Sequence, residues 1–182
     1  MENNFLKERI PHYPLSISVA LIGVFAALTT VFTVAFSIPF PLTSGYFNIG
    51  EVGVYLSGLL WGPIIGGIAG GLGSMFGDLI LGYPMYAPWT LIIKGLEGLI
   101  VGCISKRKTS YLDIISVILG GAVMITGYLL TEALILGFGF EYAIAEAVTV
   151  NIPQFVIGGI IAIPISIIIR KSIPLPKEEN IN

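Results

Sequence analysis

Lys94 and Glu97 place two full charges inside an otherwise apolar stretch, Trp89 to Ile104. A charge held in hydrocarbon costs roughly 3 kcal/mol or more, so such residues face a bundle interior or a wet cavity, where they bind or relay. Lys94 and Glu97 are three apart and share a helix face, which lets them pair. A paired Lys94 leaves a nearly neutral pocket; an unpaired one favours an anion. Asn48, Glu51, Asp78, Glu132, Asn151 and Gln154 supply further acids and amides, and Tyr46, Tyr55, Tyr83, Tyr86 and Trp89 supply aromatic faces. Together they suit a small, flat, polar heterocycle, stacked on rings and held by a few directional hydrogen bonds.

Each of these residues also has a plainer reading. Glu51 and Asp78 fit interfacial helix ends, and Tyr83, Tyr86 and Trp89 fit an aromatic belt. Lys94 with Glu97 fits a permanent structural bridge. Asn151 and Gln154 bracket Pro153 and fit groups that satisfy the backbone it frees. Glu141 and Glu146 read as solvated loop acids. A shared depth for all the others favours a pocket.

Nothing here reads as catalytic. There is no His-Glu-x-x-His pair, no phosphate-binding glycine-lysine loop and no serine with a histidine partner beyond His12. Cys103 is the single cysteine, which excludes an intramolecular disulfide and a cysteine-rich metal site. No metal or cofactor is expected, and any ATP must be hydrolysed by a partner.

The elements that must position these side chains are membrane helices. The 182 residues are 55% hydrophobic and 11% charged, with mean hydropathy +0.92. A water-soluble domain of this size carries about a quarter charged residues. A net charge of -2 without a basic stripe argues against nucleic acid. The first apolar run, Leu15 to Ile38, exceeds the signal-peptide core of roughly 7–15 residues and is read as a retained helix.

The expected architecture is one all-α membrane domain over residues 1–182. Its helices are expected near 15–36, 47–61, 63–80, 88–104, 112–137 and 148–170. The stretch Val52–Gly77 reads as one tilted helix or as two broken at Trp61-Gly62-Pro63. Charge decides between them. Lys7 and Arg9, Lys106 to Lys108, and Arg170, Lys171 and Lys177 fall on one face only with six helices, so the positive-inside rule places both termini in the cytoplasm. The loops Pro39–Tyr46, Leu81–Ala87 and Phe138–Ala147, without Lys or Arg, then lie outside. On that topology Lys94 sits roughly 9 Å below the outer end of its helix. Asn48, Glu51, Asp78, Glu132, Asn151 and Gln154 share the outer half of the membrane with it.

Glycines crowd Gly62–Gly82, and the pairs Gly66/Gly70, Gly67/Gly71 and Gly73/Gly77 each share a helix face. Such spacing lets backbones approach closely in lipid. Internal packing is the expectation; a sliding surface for a partner is the alternative. Gly23 and Ala27, beside Ala20 and Ala26, form a similar small face on the first helix.

The runs Gly45-Tyr-Phe-Asn-Ile-Gly-Glu51, Leu59-Leu-Trp-Gly-Pro63, Gly77-Asp78, Leu81-Gly-Tyr-Pro-Met-Tyr-Ala-Pro88 and Lys94-Gly-Leu-Glu-Gly98 closely resemble the substrate-binding S components of energy-coupling factor (ECF) vitamin transporters. The match is to the riboflavin-type family, which includes pyridoxine- and hydroxymethylpyrimidine-type members, and its distinctive part covers about Tyr46–Gly102. The resemblance implies a six-helix bundle in a prokaryotic cell membrane with cytoplasmic termini. It implies an outer substrate site gated by the loop Pro39–Tyr46, and docking of the first helix onto a membrane coupling subunit driven by two ATPases. The family's docking motif is two alanines four apart. Here Val24 follows Ala20 at that spacing, while Gly23 and Ala27 keep a small pair, so Ala20, Gly23 and Ala27 are the docking candidates.

The function expected is capture of a vitamin or vitamin precursor at the outer face for an ATP-driven importer. A standalone proton-coupled carrier is the alternative, with Lys94, Glu97 and Glu132 as its relay. A relay should continue across the membrane, whereas these residues stop in the outer half. A small intramembrane enzyme lacks a nucleophile or a ligand set.

Overall fold

The computed structural model describes residues 14–40, 43, 45–105 and 110–172. His12, Lys7, Arg9, Lys106 to Lys108 and Lys177 lie outside the described residues, as do three positions of the Pro39–Tyr46 loop. The chain forms α1 (Leu15–Ala35), a short antiparallel hairpin of β1 (Ile38–Pro39) and β2 (Tyr46–Phe47), then α2 (Glu51–Trp61), α3 (Pro63–Leu81) and α4 (Ala87–Ile104). α5 (Ser110–Leu130) ends in a π-helical turn, Thr131–Ile135. α6 (Phe140–Glu146) runs through a second π-helical turn, Ala147–Asn151, into α7 (Ile152–Ser172).

This is an all-α, multi-pass membrane protein. Five of its helices are long and apolar enough to cross a membrane, the last being the continuous run Phe140–Ser172. The Trp61-Gly62-Pro63 break divides Val52–Gly77 into two helices. Gly62, at φ 86° and ψ −173°, adopts a conformation open essentially only to glycine, and Pro63 starts α3 where its missing N–H is no loss. α2, with 11 residues, spans only about 16 Å.

α2 is the axis of the bundle. Every residue from Glu51 to Leu60 is buried, and α1, α3, α4 and α7 all pack on it. Val52, Tyr55, Leu56, Leu59 and Leu60 meet Val101 of α4, Val117 of α5 and Ala162 of α7 in the core. α1 is the opposite case: Leu15, Val19, Val24 and Val31 are exposed, and its buried residues are Thr29 and Thr33. That inversion marks a lipid-facing helix that packs through its polar stripe. The Thr30 hydroxyl donates to the Gly73 carbonyl at 2.8 Å.

The glycines of α3 meet neighbouring helices on two sides. Gly73 and Gly77 abut Ala26, Thr29 and Thr33 of α1, while Gly67 and Gly71 abut α4. Gly66 lies against Gly58 and Gly98, where a Cβ would come within 2.6 Å of backbone atoms of both. These faces are occupied by the chain's own helices.

Three boundaries differ from the sequence expectation. The second helix begins at Glu51 rather than at residue 47, because Tyr46 and Phe47 pair with Pro39 and Ile38 as strands. The fifth departs from α geometry at Thr131, where Leu136 N–H bonds the Thr131 carbonyl at 2.8 Å. The last helical run begins at Phe140, eight residues ahead of Val148, so most of the expected outer loop is helical.

Candidate functional site

One end of the bundle holds a cavity of about 50 Å3, lined by residues from the β2 region and from all the long helices. Asn48, Glu51, Asp78, Tyr83, Tyr86, Lys94, Glu132, Asn151 and Gln154, each a candidate from sequence, line it together. They converge because α2 and α4 begin, and α3 and α5 end, at this one level.

Lys94 is the centre of the charge pattern. Its side chain is 7% exposed; it is ion-paired with Glu51 of α2 and lies 3.2 Å from Glu97 Oε2 one turn along α4. Its ammonium also lies 5.7 Å from the centre of the Tyr128 ring, within cation–π range. Glu97, fully buried, sits below the cavity rather than on its wall, and accepts a 2.8 Å hydrogen bond from Tyr55. The sequence pattern reveals the i,i+3 partner Glu97, but only the fold brings Glu51 to the same ammonium.

The segment around β2 lines the cavity through Gly45, Tyr46 and Asn48 and is tied to three helices. Tyr46 donates to Asp78 Oδ1 of α3 at 2.5 Å. The Asn48 backbone N–H donates to Gln154 Oε1 of α7 at 2.8 Å. Gly45 lies against the Glu146 carboxylate at the end of α6, so close that any Cβ there would overlap it. Burial, then the adjacent Asp78, push the Tyr46 phenol far above its ordinary range, so it remains a proton donor. Asn48 precedes α2 and turns back on the chain, its Oδ1 accepting from Gly50 N–H at 2.8 Å.

An aromatic row runs along this end. Tyr46 and Tyr83 are 4.8 Å apart by ring centres, Tyr83 and Tyr86 6.4 Å, Tyr86 and Phe138 6.4 Å, and Phe138 and Tyr142 4.8 Å. Trp89 is half-buried and does not line the cavity: it sits about 100° around α4 from its neighbour Thr90, which does.

Glu146 is the main correction. Read from sequence as a solvated loop acid, it is buried and lines the cavity, because the segment before it is helical and folds its last turn inward. Glu141, on the same short helix, is exposed. Asp78 and Glu51, with interfacial alternatives, are both buried. Thr33, Ser74, Thr90 and Tyr128 also line the cavity and carried no sequence signal. Lone hydroxyls in apolar helices are too common to stand out.

Ala20, Gly23 and Ala27 are exposed on α1, and nothing lies within 4 Å of a Cβ built at Gly23.

The family described as ECF-type riboflavin transporter, S component, matches residues 16–171. An uncharacterised protein of Pyrococcus woesei is 43% identical over 145 residues, 79% of this chain and 95% of its own length. A thiamine precursor transporter, HmpT, of Lactococcus lactis is 29% identical over 153 residues, 84% of this chain and 87% of its own. A UPF0397 protein of Streptococcus pneumoniae is 33% identical over 88 residues, about half of each chain.

Proposed function

This chain belongs to the ECF-type riboflavin transporter S-component family, and we propose that it captures a vitamin or vitamin precursor at the outer face of a prokaryotic cell membrane. In this reading all six helical segments form one membrane domain with cytoplasmic termini, and the cavity faces outward. The observation that carries the proposal is the convergence of Asn48, Glu51, Asp78, Lys94, Glu132, Asn151 and Gln154 on one cavity beneath a tethered hairpin. Such a lining holds a small polar ring by directional bonds, and the Tyr83–Tyr86 row offers it a stacking face. The thiamine precursor transporter among its relatives supports a substrate of that size.

The loop Pro39–Tyr46, whose ends pair as β1 and β2, acts as the lid. Opening it breaks the Tyr46–Asp78 and Asn48–Gln154 bonds, and a bound ligand restores the closed state. The exposed small face Ala20, Gly23 and Ala27 docks on the coupling subunit, and two partner ATPases supply the energy.

A proton-coupled carrier is less well supported. Below the cavity the polar chain ends at Glu97 and Tyr55. The next buried ion pair among the described residues, Asp113–Arg170, is at the opposite end of the bundle.

A thermal-shift screen of the purified chain in detergent tests the proposal, with riboflavin, pyridoxine, hydroxymethylpyrimidine and thiamine as ligands. A tight binder at 1,000-fold excess over Kd stabilises the fold by about 4 kcal/mol. A strong hit without any partner subunit is expected; a folded sample unmoved by all four would overturn the vitamin-capture reading.

A further inference from the structure

Glu146 is an acid buried where no described cation answers it. It is 4% exposed, and none of the ion pairs among the described residues includes it. A buried carboxylate without a counter-charge must be held by hydrogen-bond donors. Here the Gly45 N–H donates to it, and the Thr43 and Tyr142 hydroxyls face it. Gly45 and Glu146 both line the cavity, one from the residue before β2 and the other from the end of α6. The loop backbone comes so close to the carboxylate that only glycine fits at position 45. Both sides are shaped to this one contact.

The segment that carries Glu146 has little else to fix its position. α6 has seven residues, too few for a helix to persist alone. Its buried side chains are Ala143 and Glu146, and an alanine methyl brings little apolar area. Tyr142 and Phe138, with ring centres 4.8 Å apart, make a contact internal to the segment. Gly137 and Gly139 lead into α6 at positive φ, and a π-helical turn lies on each side of it. Irregularities of this kind are frequent at functional sites. The β2 segment, by contrast, is tied separately, through Tyr46 to Asp78 and Asn48 to Gln154.

Building on the reading of the loop Pro39–Tyr46 as a lid, we propose that Glu146 is a positioning residue for capture. It joins the β2 end of the lid to α6, so that the two form one cover and open together. Its carboxylate acts on the loop backbone, as a hydrogen-bond acceptor, rather than on the ligand. α6 is then a second moving part, hinged at Gly137 and Gly139, and a ligand leaves when both parts have lifted.

Hydrogen–deuterium exchange of the purified, detergent-solubilised chain, read by mass spectrometry, tests this without any ligand. Glu146→Ala should speed exchange at residues 45–47 and at 137–146 alike. The expected factor is about tenfold, the scale of one hydrogen bond to a charged group. Glu146→Gln keeps an acceptor for the Gly45 N–H and should stay within about threefold of wild type. Tyr46→Phe frees the lid from Asp78 and should also speed exchange at 137–146, as reciprocal coupling requires. In the Glu146→Ala background it should no longer do so. Glu141→Gln, on the exposed face of α6, should change neither segment. If Glu146→Ala does not purify as a single species, Gly45→Ala carries the test through its effect on 137–146. Tyr46→Phe or Gly45→Ala loosening residues 45–47 alone overturns the joined cover and leaves the lid standing. Glutamine as disruptive as alanine overturns the acceptor role of Glu146. Exchange at 45–47 as slow as in buried α2 in every variant overturns the lid and this inference together, while the thermal-shift screen judges capture separately.

Discussion

Lys94 and Glu51, 43 residues apart in sequence, form a buried ion pair between α4 and α2 at the floor of the cavity. Glu97 joins the same ammonium, so one lysine holds two carboxylates in place. This arrangement makes Lys94 a structural residue as well as a wall of the site.

Lys94→Ala should therefore lower stability as well as affinity. Stranding two buried acids costs about 3–5 kcal/mol. Adding Glu51→Gln removes one of them and should recover part of the lost Tm without recovering binding. Equal Tm values for the wild type and Lys94→Ala would count against the double ion pair.

The opposite end of the bundle should separate stability from binding. Arg170 of α7 bonds Asp113 of α5 at 2.7 Å, the Leu59 carbonyl of α2 at 2.5 Å and Ser105 after α4 at 3.0 Å. Arg170→Ala leaves a buried Asp113 unpaired and should cost about 3–5 kcal/mol. Because Ser105 lies 11 residues beyond Lys94, roughly 16 Å along the helix, the ligand Kd should stay within about twofold in protein that remains folded. Thermal unfolding and titration of the same sample check both parts.

Glycine substitutions should follow a graded order. At Gly66 the obstructing atoms are backbone, the Gly58 Cα and the Gly98 carbonyl oxygen, each 2.6 Å from an added Cβ. Gly66→Ala should therefore impair folding outright. At Gly70 the nearest atom is a Val54 methyl at 3.0 Å, so alanine should be tolerated there and leucine not. Gly23→Ala should change nothing in the isolated chain. Monodisperse yield and Tm across the set measure the order, and a Gly66→Ala protein as stable as Gly23→Ala would refute it.

The hairpin contacts should control ligand release. Gly45→Ala displaces the Glu146 carboxylate, and Tyr46→Phe removes the donor to Asp78. Each should speed ligand dissociation by about tenfold, the scale of one lost hydrogen bond to a charged group, with Tm of the empty protein little changed for Gly45→Ala. Stopped-flow release of a bound ligand gives the rate directly.

The Tyr46 and Tyr86 phenols, both raised by burial before any other cause, set an alkaline limit. Their protons are held more tightly in the folded chain than in the unfolded one, where the ordinary value is about 10. Their stabilising contribution is complete below that pH and falls as pH rises above it, when only the unfolded chain releases them. Tyr46→Phe should flatten the decline in Tm above about pH 10.

The class of molecule was determined by the sequence alone, because burial in lipid demands long apolar helices and makes each charge conspicuous. Lys94, Glu97, Asp78 and Glu132 stand out for that reason, and the Trp61-Gly62-Pro63 break is legible from the chemistry of glycine and proline. The crowded glycines of α3 likewise announce close packing. Tertiary structure alone decided which charges meet. Glu51 reaches Lys94 only when α2 becomes the buried axis, and Glu146 enters the cavity only because Phe140–Glu146 is helical. The π-helical turns that carry Glu132 and Asn151 have no signature in hydropathy, since one extra residue per turn changes the direction of a side chain without changing composition. Helix periodicity assigns a residue to a face; which face another helix covers depends on contacts made across the whole chain.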